Sequence, residues 1–279
     1  MRIRALAPLA AASLLLSACG GGLTDPGVRT TVPDRPSAIT YGELDGDAHP
    51  AVVLILAEVD GEPAFRCSGT LISPTVVLTA GHCVTNSPEP VSGIRVFTES
   101  DVQNGDNNYP FGGENSVEAV SWAAHPEYTD AAFFLHDVGV IVLAEPIILP
   151  EGEYGVLPTA RQLDALRPGR STVFTAVGYG LQRSSPVPAK VERDKIRMSA
   201  QPHLIQINTG FTGSYSLLLS NNAATGGTCF GDSGGPIYLG STNVVVGVTS
   251  YAINGNCAGT GGVFRLDRAD VLTFIYQYV

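Results

Sequence analysis

Two short segments carry residue types able to perform acyl transfer: Leu78-Thr79-Ala80-Gly81-His82-Cys83 and Gly231-Asp232-Ser233-Gly234-Gly235-Pro236. Between them, His136-Asp137 leads into the apolar run Val138–Leu143. A serine hydroxyl is a poor nucleophile at neutral pH and needs a base. An imidazole suits that task, because its ordinary pKa of about 6.5 lets it take a proton and return it. A buried carboxylate fixes the imidazole tautomer and stabilises the imidazolium. Ser233, His82 and Asp137 are the hydroxyl, imidazole and carboxylate of these segments that could meet those needs.

Chain order separates this reading from its rivals. Gly231-Asp232-Ser233-Gly234-Gly235 also fits G-x-S-x-G, the nucleophile elbow of α/β-hydrolases, but that fold needs a histidine after the serine. The five histidines are His49, His82, His125, His136 and His203, all before Ser233. A subtilisin order would have to use Asp45, Asp47 or Asp60, which lie in strand-rich surroundings. His82 beside Cys83 has no second histidine close by, so no zinc site is read there. His125 and His136 read as ordinary loop residues, and Trp122 as core packing.

At these residues the chain resembles the trypsin/chymotrypsin family of serine proteases, from about residue 39 to the C-terminus. The resemblance implies Ser233 as nucleophile, His82 as general base and acid, and Asp137 as the orienting carboxylate; it favours Asp137 over Asp130, because the apolar run after Asp137 matches the strand that follows the family's acid. It implies that the backbone N–H groups of Gly231 and Ser233 form the oxyanion hole. It implies bridges Cys67–Cys83 and Cys229–Cys257, although four cysteines by themselves allow three pairings. Gly227 falls where trypsin-like enzymes place an acid that binds lysine or arginine, followed by Thr228. Val248–Ala252 resembles the strand that pairs with substrate backbone, with Ser250 supporting Asp137 and with Tyr251 and Ala252 at the pocket mouth. Gly262 falls on the opposite wall. With no carboxylate in this pocket, a buried cationic side chain would lack a counter-charge, so uncharged residues are expected before the scissile bond. Ile39-Thr40-Tyr41-Gly42 resembles the start of the mature enzymes, whose new ammonium pairs with the acid here at Asp232. Ala38 precedes it, so an activating protease of trypsin-like specificity is not indicated. A second reading keeps the fold as a surface binding protein with little or no turnover.

The elements that must hold these residues are short. Ala51–Val59, Ala64–Ile72, Thr75–Thr79, Ile94–Thr98, Val138–Leu143, Thr172–Gly178, Lys190–Ser199, Tyr215–Ser220, Val244–Tyr251 and Gly262–Leu266 are rich in Val, Ile, Thr, Phe and Tyr, as strands are. Helical periodicity emerges only at the end, where Asp267–Asp270 reads as a cap for a helix carrying Val271, Phe274, Ile275 and Tyr278. Asp101–Asn115 and Gln182–Ala189 read as surface loops. Short strands with one terminal helix fit a barrel pair or a sandwich. The resemblance selects an all-β fold of two packed antiparallel six-stranded barrels with a C-terminal helix, spanning residues 39–279.

Ahead of that domain, residues 1–19 have Arg2 and Arg4, an apolar Leu6–Leu16 stretch and Leu16-Ser17-Ala18-Cys19. This is the layout of a secretory signal peptide, and its end resembles the lipobox of bacterial lipoproteins. Lipidation of Cys19 leaves four cysteines, an even number suited to disulfides in an exported protein. Residues 20–38 are Gly/Pro-rich without a hydrophobic period and read as a tether or propeptide reaching about 25 Å. The expected location is the bacterial cell envelope, anchored to a membrane by one lipid and spanning none. The formal charge of -10 lacks a basic patch, which argues against nucleic acid as partner. The expected partners are protein or peptide substrates and an activating protease; no cofactor or metal is called for.

Overall fold

In a computed structural model, residues 39–85, 90–183 and 193–279 are described. The predicted signal peptide, Cys19 and the 20–38 tether lie outside them, as do most of the Gln182–Ala189 loop and the start of Lys190–Ser199. Among the described residues there are fourteen strands and one α-helix: β1 (Glu43–Leu44), β2 (Val52–Val59), β3 (Glu62–Ser73), β4 (Val76–Thr79), β5 (Gly93–Phe97), β6 (Ser116–Ala124), β7 (Gly139–Leu143), β8 (Gly169–Gly178), β9 (Met198–Ala200), β10 (His203–Ile207), β11 (Ser216–Asn221), β12 (Pro236–Leu239), β13 (Val245–Ala252), β14 (Gly259–Arg265) and α1 (Ala269–Ile275).

The first six-stranded barrel closes in the order β2-β3-β4-β7-β6-β5. The second sheet runs β1-β9-β8-β10-β11-β14-β13-β12, and an additional β8–β12 pairing closes six of its strands into another barrel. All the named strand pairs are antiparallel. The expected pair of barrels is therefore present, with the short helix at the end.

Strand β2 shows why the sequence reads as a continuous apolar run rather than an alternation. Val53 and Ile55 point into the first barrel, while Val52, Leu54 and Leu56 join a second cluster with Val177, Tyr179, Val248 and Phe264 from the other half of the chain. Both faces are dry, so both must be apolar. Phe174, Ala176, Leu204, Leu217 and Val263 fill the second barrel. Trp122 packs against the first barrel's core, as expected.

Four strands escape the sequence reading: β1, β6, β10 and β12. Strand β6 is largely solvated and its register shifts between Ala119 and Ser121, which breaks the alternation. Strand β12 opens on Pro236, a residue tolerated at the first position of a strand. The expected cap on the terminal helix is also different. Arg268 occupies the N-cap without a side-chain cap bond. Asp267 is fully buried and committed to Arg265, accepting from its Nε and Nη2 at 2.8 Å each, because a buried guanidinium needs its counter-charge.

A second buried cation fixes the entry of the chain. Arg197 Nε donates to Asp45 Oδ2 at 3.1 Å, Nη1 to Val52 O at 2.9 Å and Nη2 to Gly46 O at 2.6 Å. Asp45 also meets His49 Nδ1 at 2.6 Å. Asp45, one of the three acids a subtilisin order would need, is thus occupied in tying residues 45–49 to the seam.

Candidate active site

His82 sits on a single 3-10 turn, Gly81–Cys83, directly after β4. Asp137 lies two residues before β7, at the centre of a tight turn closed by Val138 N–H to His136 O at 2.7 Å. Strands β4 and β7 pair with Thr79 opposite Gly139, so the ends of the two strands bring His82 and Asp137 together. The Asp137 carboxylate lies 3.0 and 3.1 Å from His82 Nδ1 and accepts the His82 backbone N–H at 3.0 Å. Asp137 is 1% exposed. Asp130 instead lies in an exposed 3-10 turn and accepts from the Tyr128 hydroxyl.

Ser250 completes this arrangement through a bulge. Strand β13 shifts register against β14 between Thr249 and Tyr251, so Ser250 is the extra residue. A bulge re-aims its side chain, and the Ser250 hydroxyl donates to Asp137 Oδ2. Burial pushes the His82 imidazole down, but the charge of Asp137 and its hydrogen bond outweigh this, and the net pKa is raised.

Ser233 lies between β11 and β12 in a segment held from both barrels. Ser68 N–H donates to Ser233 O at 2.8 Å, and Gly234 N–H donates to Thr249 O at 2.8 Å. Gly231 and Gly234 have φ of 97° and 77°, values that favour glycine. A Cβ on Gly234 would stand 2.0 Å from Thr79 Oγ1, so this approach is open to glycine alone. Phe230 C=O accepts from Leu181 N–H at 2.8 Å. Because a trans peptide sets its C=O and N–H on opposite sides, the Gly231 N–H points away from that bond. Among the described residues, neither the Gly231 nor the Ser233 N–H donates a backbone hydrogen bond.

His82 and Ser233 line one cavity of about 230 Å³, with Thr228, Cys229, Phe230, Thr249, Ser250, Tyr251 and Ala252. No carboxylate is among these lining residues. Two expected pocket residues lie behind the wall instead. A Cβ on Gly227 would stand 2.3 Å from Asn221 Cγ, and one on Gly262 would stand 2.2 Å from Tyr251 Cε2. The Asn221 side chain and the Tyr251 ring therefore occupy the space these glycines leave. The Thr249 hydroxyl, on the cavity wall, is buried without a hydrogen-bond partner. Cys229 is joined to Cys257, and Cys67 to Cys83, with Cα separations of 5.3 and 6.2 Å. Neither cysteine beside His82 is thus free as a thiolate.

An aromatic group beside the cavity was not visible in sequence. Tyr251 meets Phe133 at 5.7 Å and Phe211 at 6.0 Å between ring centres, and Phe134 lies 6.3 Å from Phe211. Phe133 and Phe211 are exposed. The Phe133-Phe134 pair, loop aromatics shortly before His136-Asp137, is the signal that could have found it.

At the proposed activation site, Ile39 is fully buried with Phe174, Met198 and Leu217. Thr40 bridges to Gly227, and its hydroxyl donates to Asn221 Oδ1 at 2.9 Å. Asp232 is fully buried and accepts from the N–H groups of Gly180 and Cys229 at 2.8 Å each. Burial drives its pKa up to about 7, against the opposing pull of those amides and of Arg66.

The Trypsin family model matches residues 47–269. Trypsin iota of Drosophila melanogaster is 24% identical over 67% of this chain and 68% of its own. The venom serine protease Bi-VSP of Bombus ignitus is 28% identical over 73% of this chain, which spans only 56% of that relative. Brachyurin of Leptuca pugilator is 28% identical over 69% of this chain and 78% of its own. The solved structure of HL collagenase superposes with a TM-score of 0.65 at 20% identity, covering 85% of this chain and 97% of that one.

Proposed function

Since the chain belongs to the trypsin family of serine proteases, we propose that it is a serine endopeptidase working through Ser233, His82 and Asp137. The observation that carries this reading is the His82–Asp137 pair, buried on one side and sharing a cavity with Ser233 on the other. With Nδ1–H donated to Asp137, His82 Nε2 is the free lone pair that takes the Ser233 proton. Ser233 Oγ then attacks the substrate carbonyl, and the negative oxygen settles against the N–H groups of Gly231 and Ser233. His82 returns its proton to the leaving amine, and water releases the acyl group by the same steps in reverse roles. Each oxyanion donor contributes about 10²–10³ in turnover.

The test of this reading is covalent. A fluorophosphonate probe should label the active protein at Ser233; an active preparation that resists the probe would overturn the assignment.

The cavity wall supports a preference for uncharged residues before the scissile bond, with small or medium apolar side chains first. Apart from the His82 imidazole its polar side chains are hydroxyls, and Ala252 is among the lining residues. On matched peptide substrates, kcat/KM with Leu or Ala before the cleaved bond is expected to exceed that with Arg by about 10²-fold, the size expected for burying a cation without a partner. A strong Arg preference would refute it. The exposed aromatic group around Tyr251 adds an apolar surface for residues further upstream.

We further propose export, lipid attachment at Cys19 and cleavage between Ala38 and Ile39. Two disulfides support an oxidising compartment. Asp232 supports the cleavage: a new ammonium at Ile39 would supply a counter-charge to a carboxyl that burial otherwise protonates near neutrality. Because 20–38 contain no cysteine that could bridge them to the body, the cut would also free the catalytic domain from its lipid. N-terminal sequencing of active enzyme should read Ile-Thr-Tyr-Gly. An active species that still carries Cys19 contradicts the scheme.

A further inference from the structure

Behind the catalytic acid, four side chains from separate parts of the chain converge. His125 and Glu127 follow β6, His136 precedes β7, and Asp270 belongs to the first turn of α1. One ligand-type atom from each lies within 4.8 Å of all the others. His136 Nε2 is 3.1 Å from Asp270 Oδ2 and 3.2 Å from Glu127 Oε2. The two imidazoles stack with centres 4.6 Å apart and planes within 15°. Both rings are buried, at 6% and 9% exposure, whereas both carboxylates reach solvent. The two histidines that the sequence presents as loop residues are thus held side by side.

We propose that His125, Glu127, His136 and Asp270 form a binding site for one divalent cation of the zinc class. The donor set is two imidazoles and two carboxylates. Calcium and magnesium favour oxygen ligands throughout, whereas nitrogen ligands suit zinc and its neighbours. Two carboxylates and two neutral rings carry a formal charge that one divalent ion cancels. A tetrahedral zinc with bonds of about 2.1 Å spaces its ligands about 3.4 Å apart. Two of the contacts around His136 already approach that spacing, and the exposed carboxylates are the ends free to adjust. The rings themselves are fixed: Phe274 packs edge-on against His125 at 5.2 Å, and Tyr215 against His136 at 5.2 Å. Glu127 N–H donates to His125 Nδ1 at 3.2 Å, a long bond that the ion would loosen or replace.

The site has a consequence for the chain around it. His136 has a φ of 54° and forms the turn that presents Asp137. A bound ion would tie that turn to α1 across 134 residues of sequence. It acts as a clamp outside the cavity that holds Ser233.

The test uses the full chain carrying Ser233→Ala, freed of metal by EDTA and titrated with zinc chloride alone. Calorimetry is expected to give one ion per chain with a micromolar or tighter dissociation constant, and thermal unfolding a Tm raised by several degrees at saturation. Magnesium chloride at the same concentration should do neither. Asp270→Asn and His125→Gln should each weaken zinc binding at least tenfold, whereas His82→Ala should leave it unchanged. Zinc-edge X-ray absorption should find imidazole nitrogen and oxygen, without sulfur. Unaltered affinity in both site variants, loss of binding in His82→Ala, or no saturable binding below 1 mM would each overturn the proposal. Because the readout is binding and not turnover, a failure here is separate from a failure of the protease assignment.

Discussion

Ser233→Ala is expected to lower kcat by about 10⁶ and to abolish fluorophosphonate labelling, with the fold and its Tm intact. The size follows from what remains. Without the hydroxyl, no acyl-enzyme forms, and His82 has no proton to accept from the chain. The N–H groups of Gly231 and Ser233 survive, because backbone donors do not depend on the side chain. A residual rate of about 10³–10⁴ over uncatalysed hydrolysis is therefore expected from the oxyanion site and binding. The fold should not suffer, since Ser233 is held by its carbonyl, which accepts from Ser68 N–H, and by Gly234. Alanine keeps both bonds. Steady-state kinetics on a peptide ester, with far-UV dichroism as the folding control, reads the result. A variant that retains more than about one per cent of kcat would remove Ser233 from the nucleophile's role.

How much of this could be read in the chain depends on how local each signal is. His82 and Ser233 sit in contiguous motifs whose neighbours have their own physical reasons, such as the glycine at 234 that faces Thr79. Such motifs survive in one dimension. Strand β2 was legible because burial on both faces leaves an unbroken apolar run; β6 was not, because its solvated face carries polar residues and a register shift. The aromatic group is assembled from the Phe133-Phe134 pair, Phe211 and Tyr251, three segments far apart along the chain, and only folding makes them neighbours. The same holds for His125, His136 and Asp270, whose spacing matches no metal motif. The pocket differs again. Gly227 and Gly262 were expected to line it, but the space beside them is taken by the Asn221 side chain and the Tyr251 ring, and neither glycine is among the residues lining the cavity.

Asp137→Asn separates the carboxylate's electrostatic task from its geometric one. The turnover at neutral pH is expected to fall by about 10⁴. An amide NH₂ facing His82 Nδ1 makes that nitrogen an acceptor and moves the proton to Nε2, where it blocks transfer from Ser233. The pH profiles carry the sharper information. In the native protein burial lowers the His82 pKa, and Asp137 more than reverses this, so the net value is raised. Activity needs neutral His82, so kcat/KM should rise as pH climbs through a value above about 6.5. Stability runs the other way. A histidine whose folded pKa is raised contributes stability that is full below its unfolded value and is lost as pH rises through the folded one. In Asp137→Asn burial, the largest influence, is opposed only by the smaller pull of the Asp130 charge, and the folded pKa drops below the unfolded value. The acid limb of the residual activity should then move to lower pH. The stability increment should change sign, being present above about 6.5 and lost as pH falls beneath it. Urea unfolding and kcat/KM measured across the same pH range test both halves together. A variant whose acid limb stays in place would mean that Asp137 does not govern the charge of His82, and the pair seen in the fold would then be a structural contact alone.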